Sequence, residues 1–215
     1  MGDDPDNDRF VVIGDGDQVV NITLFWRDTI PRDWECLPKA PSRRIAGLGA
    51  ANMGDLSRTS IQTEQSITVA GYGAMAVNNE PAFIPSWLPE RAKRLLTFFL
   101  GHNNLFTPYG AHKYEWNCDN KELQEVWVNK EISSPNSVPY VSIGSGVVYT
   151  CGTRQGKWTI EALNWFTGES LGFWITGDSR FNTLGSGVLL DNEGQIVFGS
   201  IFGKSRILRL PPKNI

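Results

Sequence analysis

A chain of 215 residues that is 40% hydrophobic can bury a sizeable core, and one all-β domain of this length is ordinary. Its 20 basic and 23 acidic residues leave a net charge of -3, which supplies no long-range basic field of the kind that draws a protein to nucleic acid or an anionic membrane. No apolar run approaches the roughly 20 residues of a membrane span, and MGDDPDNDRF has neither part of a secretory signal, so an exported form would carry its signal outside this sequence.

In chain order, the first ten residues are acidic. Asp4, Asp6 and Asp8 alternate as in a calcium loop, but the full Asp-x-Asp-x-Asp-Gly run with a downstream Glu is absent, and the segment reads as a solvated tail. Arg9 to Trp26 reads as strand, Gly-Asp-Gly-Asp turn and strand. A connection over about 27–60, rich in Pro, Gly, Arg and Asp, is too long to be passive and reads as an insertion. Strand chemistry returns from Gln62 to Val77, and Asn78-Asn79-Glu80-Pro81 makes a turn. A second insertion spans about 81–108. Within it Pro89-Glu90 suits the start of a short helix, with a strand over Leu95 to Leu100 as the alternative. After a tryptophan hairpin at Tyr114 to Trp127, strands are expected at Val138–Ile143, Val147–Cys151, Trp158–Leu163 and Leu171–Ile175. The last segment offers Phe181–Leu184, Val188–Leu190, Gln195–Ile201 and Arg206–Leu210. If Asp191 to Gly194 is a turn, nothing remains for an outermost final strand, and residues 9–13 are the candidate to supply it.

Two repeats run through this order. An aliphatic or small residue followed by Gly-x-Gly occurs at Ile13–Gly16, Ala70–Gly73, Ile143–Gly146 and Leu184–Gly187, and each reads as the turn between the first and second strands of a sheet. In addition, Tyr114 to Trp127 aligns without gaps on Glu161 to Trp174, superposing Asn117 on Asn164 and Trp127 on Trp174. Both tryptophans are thereby expected to bury their indoles between sheets.

The second of these hairpins, Ile160 to Gly177, resembles the outer strands of a blade in quinoprotein (PQQ)-like β-propellers, whose repeat reads Ala-Leu-Asp-x-x-Thr-Gly-Lys-x-x-Trp-x-x-x-x-Gly. Ala162, Leu163, Thr167, Gly168 and Gly177 match, while Asn164 replaces the Asp and Glu169 the Lys. Gly172 stands where the family places its docking tryptophan, and Trp174 lies two residues on, on the same strand face. The resemblance implies an all-β propeller occupying 1–215, of about four blades, either a small ring or a C-terminal part of a seven- or eight-bladed one. An open half-ring would expose apolar blade faces and call for a homo-oligomer or a missing propeller half. The family's location would allow an extracytoplasmic protein.

Residues that carry chemistry are sparse. There is no Gly-x-Ser-x-Gly elbow, His-Glu-x-x-His or P-loop. The scattered Cys36, Cys118 and Cys151 read as free thiols, and His102 and His112 as surface or packing residues. The loops before each innermost strand would line one mouth of a propeller channel, and they offer Glu64, Gln65, Asn136, Asp178, Arg180 and Asn182 as candidate binding residues for an unknown small ligand or protein. The family's dehydrogenases hold PQQ over calcium in that mouth. No set of calcium ligands and no vicinal disulfide can be matched here. The leading reading is therefore a non-catalytic binding or interaction scaffold, with a partial quinoprotein-type oxidoreductase binding PQQ and calcium at the channel mouth as the alternative.

Overall fold

Strand-forming, alternately apolar segments separated by Asn, Asp and Gly turns produce four antiparallel sheets that follow one another in chain order. The computed structural model describes residues 1–2, 8–200 and 203–207. The first sheet contains β1 (Phe10–Gly14), β2 (Asn21–Trp26) and β3 (Ile45–Ala50). In the second are β4 (Thr68–Ala70), β5 (Gly73–Val77), β6 (Tyr109–Asn117) and β7 (Glu122–Ser133). The third holds β8 (Tyr140–Ser142), β9 (Val147–Arg154), β10 (Lys157–Asn164) and β11 (Ser170–Gly177). The fourth holds β12 (Val188–Leu190), β13 (Ile196–Ser200) and β14 (Gly203–Ile207). Each sheet is a simple meander, and β4, β8 and β12 neighbour one another at the inner edges of consecutive sheets. This is a β-propeller architecture.

Pleat alternation explains the stacking, because strands buried on both faces feed a core on either side. In β5 Ala74 and Ala76 join a cluster with Ile22, Leu24, Trp26 and Trp116, whereas Met75 and Val77 join Trp127, Val148 and Leu163 on the other side. A third cluster, built on Cys151, Trp158, Ile160, Val188 and Phe198, joins the third sheet to the fourth. Among the described residues no such cluster joins the fourth sheet to the first. Instead the outer face of the first sheet exposes Val11, Ile13 and Leu48, and that of the fourth exposes Leu189. Among the described residues the four blades form an open arc.

Turn chemistry appears as the sequence expects. Asn164 Oδ1 accepts the N–H groups of Phe166 and Thr167 at 2.8 and 3.1 Å, and Gly168 closes the turn at φ +74°. The equivalent hairpin is built alike: Asn117 Oδ1 accepts from Asp119 and Asn120 at 3.0 and 3.1 Å, and Lys121 takes the left-handed position at φ +53°. Trp127 is buried against Gly168, where a Cβ would come within 2.5 Å of its ring, and its Nε1 donates to Trp165 O at 3.0 Å.

Several expectations are corrected. Trp174 is 44% exposed, because the three strands of the fourth sheet among the described residues offer it nothing to pack against. The Leu184–Gly187 turn precedes β12, and the turn between first and second strands falls at Asp191–Gly194 instead. The strand expected at Phe181–Leu184 does not form: Phe181 ends a 3-10 turn (Ser179–Phe181), and Asn182 to Leu184 run on as irregular chain. Residues 9–13 pair with β2, not with the last sheet. The 27–60 connection contains β3, and Pro89 precedes a 3-10 turn (Glu90–Ala92) that runs into helix α1 (Lys93–Leu100). Asp4 and Asp6 lie outside the described residues. Asp8 accepts bonds from Trp116 Nε1 at 2.9 Å and Lys121 Nζ at 2.8 Å, so its carboxylate ties the N-terminal segment to the second sheet. The three cysteines are free thiols, and burial pushes the Cys151 thiol up to about 12. His112 is buried with Nε2 2.8 Å from Glu125, a packing role in keeping with its reading.

Candidate functional site

The loops that precede β4, β8 and β12 converge on the inner edge of the arc, and α1 is seated on them. The last carbonyls of a helix have no intrahelical donor. Here the mouth loops reach two of them: Asn136 Nδ2 donates at 3.0 Å to Thr97 O, which also accepts the capping Gly101 N–H at 3.2 Å, and Asn182 Nδ2 donates to Phe98 O. Thr107 and Thr153 hydroxyls donate to Gly101 O at 3.0 and 3.3 Å. The two asparagines also touch, with Asn136 Nδ2 donating to Asn182 Oδ1 at 3.1 Å. Around the same ring Asn79 Nδ2 donates to the carbonyls of Ser134 and Pro135, both at 3.0 Å, and Thr183 Oγ1 to Asn136 O at 2.8 Å. Asn79, Asn136, Asn182 and Thr183 are all buried.

The other end of α1 is held by charge. Lys93 Nζ, with its side chain 5% exposed, lies 2.9 Å from Glu80 and 2.5 Å from Glu90. Burial alone would push the ammonium down, but hydrogen bonds to Glu90 and Glu80 override it and hold Lys93 above its ordinary value. Arg94, one residue on, pairs with Glu64.

Of the six residues expected to line the mouth, the structure therefore brings Asn136 and Asn182 together under α1. It puts Glu64 on the rim against Arg94 and buries Gln65. Asp178 and Arg180 stand apart in an exposed pair. Asp178 Oδ1 accepts both the backbone N–H of Arg180 at 3.0 Å and its Nε at 2.9 Å, and these bonds hold the Asp178 carboxyl below its ordinary value. At the rim lies a hollow of about 230 Å³ bordered by Asp15, Gln62, Thr63, Glu64 and Arg94. That is below the roughly 300–1,000 Å³ of typical small-molecule pockets. Asp15 is already engaged, accepting from Asp17 N, Asn21 N and Asn21 Nδ2. Among the described residues no three His, Cys, Asp or Glu side chains gather as a metal cluster would require.

Sequence reasoning missed Asn79, Glu80, Lys93 and Thr97. Asn79 and Glu80 were visible as turn residues, but a turn reading says nothing about a partner 55 positions away, as Asn79 and Ser134 are. For Lys93 and Thr97 the signal was present: both are polar and four apart, hence on one helix face.

No family model matches the chain. A protein of Archaeoglobus fulgidus described as "Uncharacterized protein" is 33% identical over 202 residues, which cover 93% of this chain and 39% of that protein. The chain thus spans about two fifths of that relative's length. Among solved structures, BamB from Moraxella catarrhalis superposes with a TM-score of 0.45 at 14% identity, over 95% of this chain and 48% of that one.

Proposed function

We propose that the chain is a single array of PQQ-like blades working as a non-catalytic interaction scaffold, with one mouth stoppered by its own helix. The observation that carries this reading is the pair Asn136 and Asn182, whose amides are committed to the Thr97 and Phe98 carbonyls of α1. Donors aimed into a propeller mouth are the natural means of holding a ligand, and here α1 occupies that place. Support for PQQ-like repeats comes from the Asn164 to Gly168 turn and from Trp127 seated on Gly168. The exposed end faces are covered, on this reading, by further blades.

The quinone reading fits less well. Calcium needs free carboxylates, whereas Glu64 and Glu80 at the mouth face Arg94 and Lys93. Buried Glu161 is engaged by Arg154 at 2.8 Å. The residues present do not fit the pair of cofactors.

Titration of the purified chain with PQQ and calcium, followed by thermal melting and quinone absorbance, tests this. The scaffold reading expects no shift. Binding at 100 times Kd would stabilise by about 2.7 kcal/mol and raise the Tm by roughly 5–10 °C, and that result, lost with a chelator, would replace the scaffold with the oxidoreductase.

A further inference from the structure

Helix α1 is turned inside out. A surface helix ordinarily buries an apolar stripe and shows water its polar side, yet α1 buries Lys93 and Thr97 and leaves Leu95 53% and Phe99 54% exposed. The rest of the insertion between β5 and β6 behaves alike. Phe83 is 48% exposed, Trp87 78% and Leu105 54%. Scattered exposed leucines need no explanation, but a concentration of large apolar side chains on one insertion marks a surface that meets something apolar.

Charge and position narrow what that is. Residues 81–108 hold three basic side chains in a chain whose net charge is -3, but Lys93 is buried against Glu80 and Glu90 and Arg94 pairs with Glu64. Arg91 is exposed and has no ion pair among the described residues, so it is the cation of this insertion left to meet an anion. The overall charge gives no long-range attraction, but exposed apolar side chains need none, because their insertion supplies the binding and Arg91 selects the headgroup. Further blades would cover the end faces of the first and fourth sheets, whereas this insertion is held by the mouth loops. Highly exposed aromatic and aliphatic side chains flanked by Arg are the composition of a lipid-interface anchor.

We propose that the 81–108 insertion docks the protein on an anionic lipid bilayer, with Trp87, Leu95 and Phe99 entering the interface and Arg91 meeting lipid phosphates. This goes beyond the scaffold reading and stands whichever way the quinone titration falls.

The test is flotation of the full 215-residue chain with vesicles of phosphatidylcholine alone and of equal parts phosphatidylcholine and phosphatidylglycerol. Recovery with the anionic vesicles is expected, with partitioning reduced about tenfold or more in Leu95→Glu/Phe99→Glu. Trp87→Ser, outside the helix, should weaken binding independently, and Arg91→Glu should remove the preference for the anionic vesicles. All these side chains are exposed, so unchanged melting temperatures serve as the folding control. Failure of the parent chain to float with either vesicle, or equal flotation of parent and Leu95→Glu/Phe99→Glu, would overturn the proposal. So would a lipid-free dimer that this double variant dissociates, since the face would then belong to a second copy.

Discussion

Trp127 and Trp174 occupy matching places in the two aligned hairpins, and their fates differ. The Trp127 ring closes on Gly168 of the next sheet and its indole N–H finds Trp165 O, whereas Trp174 faces the fourth sheet and stays half exposed among the described residues. Truncating a buried aromatic costs ~3–5 kcal/mol, so Trp127→Ala should lower the unfolding free energy by about that amount and Trp174→Ala by less than ~1 kcal/mol in denaturant melts. Equal losses would mean that the two sites are equivalent after all. The turn residues were legible in sequence because Asx-turn and positive-φ chemistry is local. The burial of the tryptophans was not, since it depends on which sheet lies alongside. His112 makes a second prediction at this scale. Burial lowers its pKa from the ordinary 6.5, opposed in part by Glu125. The unfolded chain therefore takes up the proton first as pH falls through 6.5, and stability drops from there down to the lowered native value. Urea melts between about pH 7.5 and 5 should show this slope, up to ~1.4 kcal/mol per pH unit, and His112→Gln should flatten it.

Helix α1 is the element that sequence reading left most open, and the reason is physical. Leu95, Phe99 and Leu100 are exposed while Lys93 and Thr97 are buried, so the usual periodicity argument for a core-facing helix had little to grip, and a strand over Leu95 to Leu100 was equally compatible. Its anchoring is polar throughout: carbonyls to Asn136 and Asn182 at one end, Lys93 to Glu80 at the other. Each lost buried hydrogen bond costs about 1–3 kcal/mol. Asn136→Ala with Asn182→Ala should therefore free the helix before it unfolds the blades. Hydrogen exchange followed by mass spectrometry should find residues 93–100 exchanging faster while the amides of β5, β9 and β10 keep their protection. Uniform loss of protection would show that the helix and the blades are one cooperative unit.

At the scale of the whole molecule, the sheet order and meander topology were legible from the alternating strands and repeated turns, but the openness of the arc was not. It depends on Val11, Ile13 and Leu48 at one end and Leu189 at the other, each of which reads in sequence like any core residue. Apolar sheet faces left bare drive association. The most direct test of the open arc is the solution mass of the purified chain by light scattering. The arc predicts a species near twice the 23.9 kDa of one chain, dissociated by Ile13→Glu with Leu189→Glu and untouched by Leu95→Glu with Phe99→Glu. A monodisperse 23.9 kDa monomer, melting cooperatively and indifferent to charges at Ile13 and Leu189, would contradict it and mean that the four blades close on themselves.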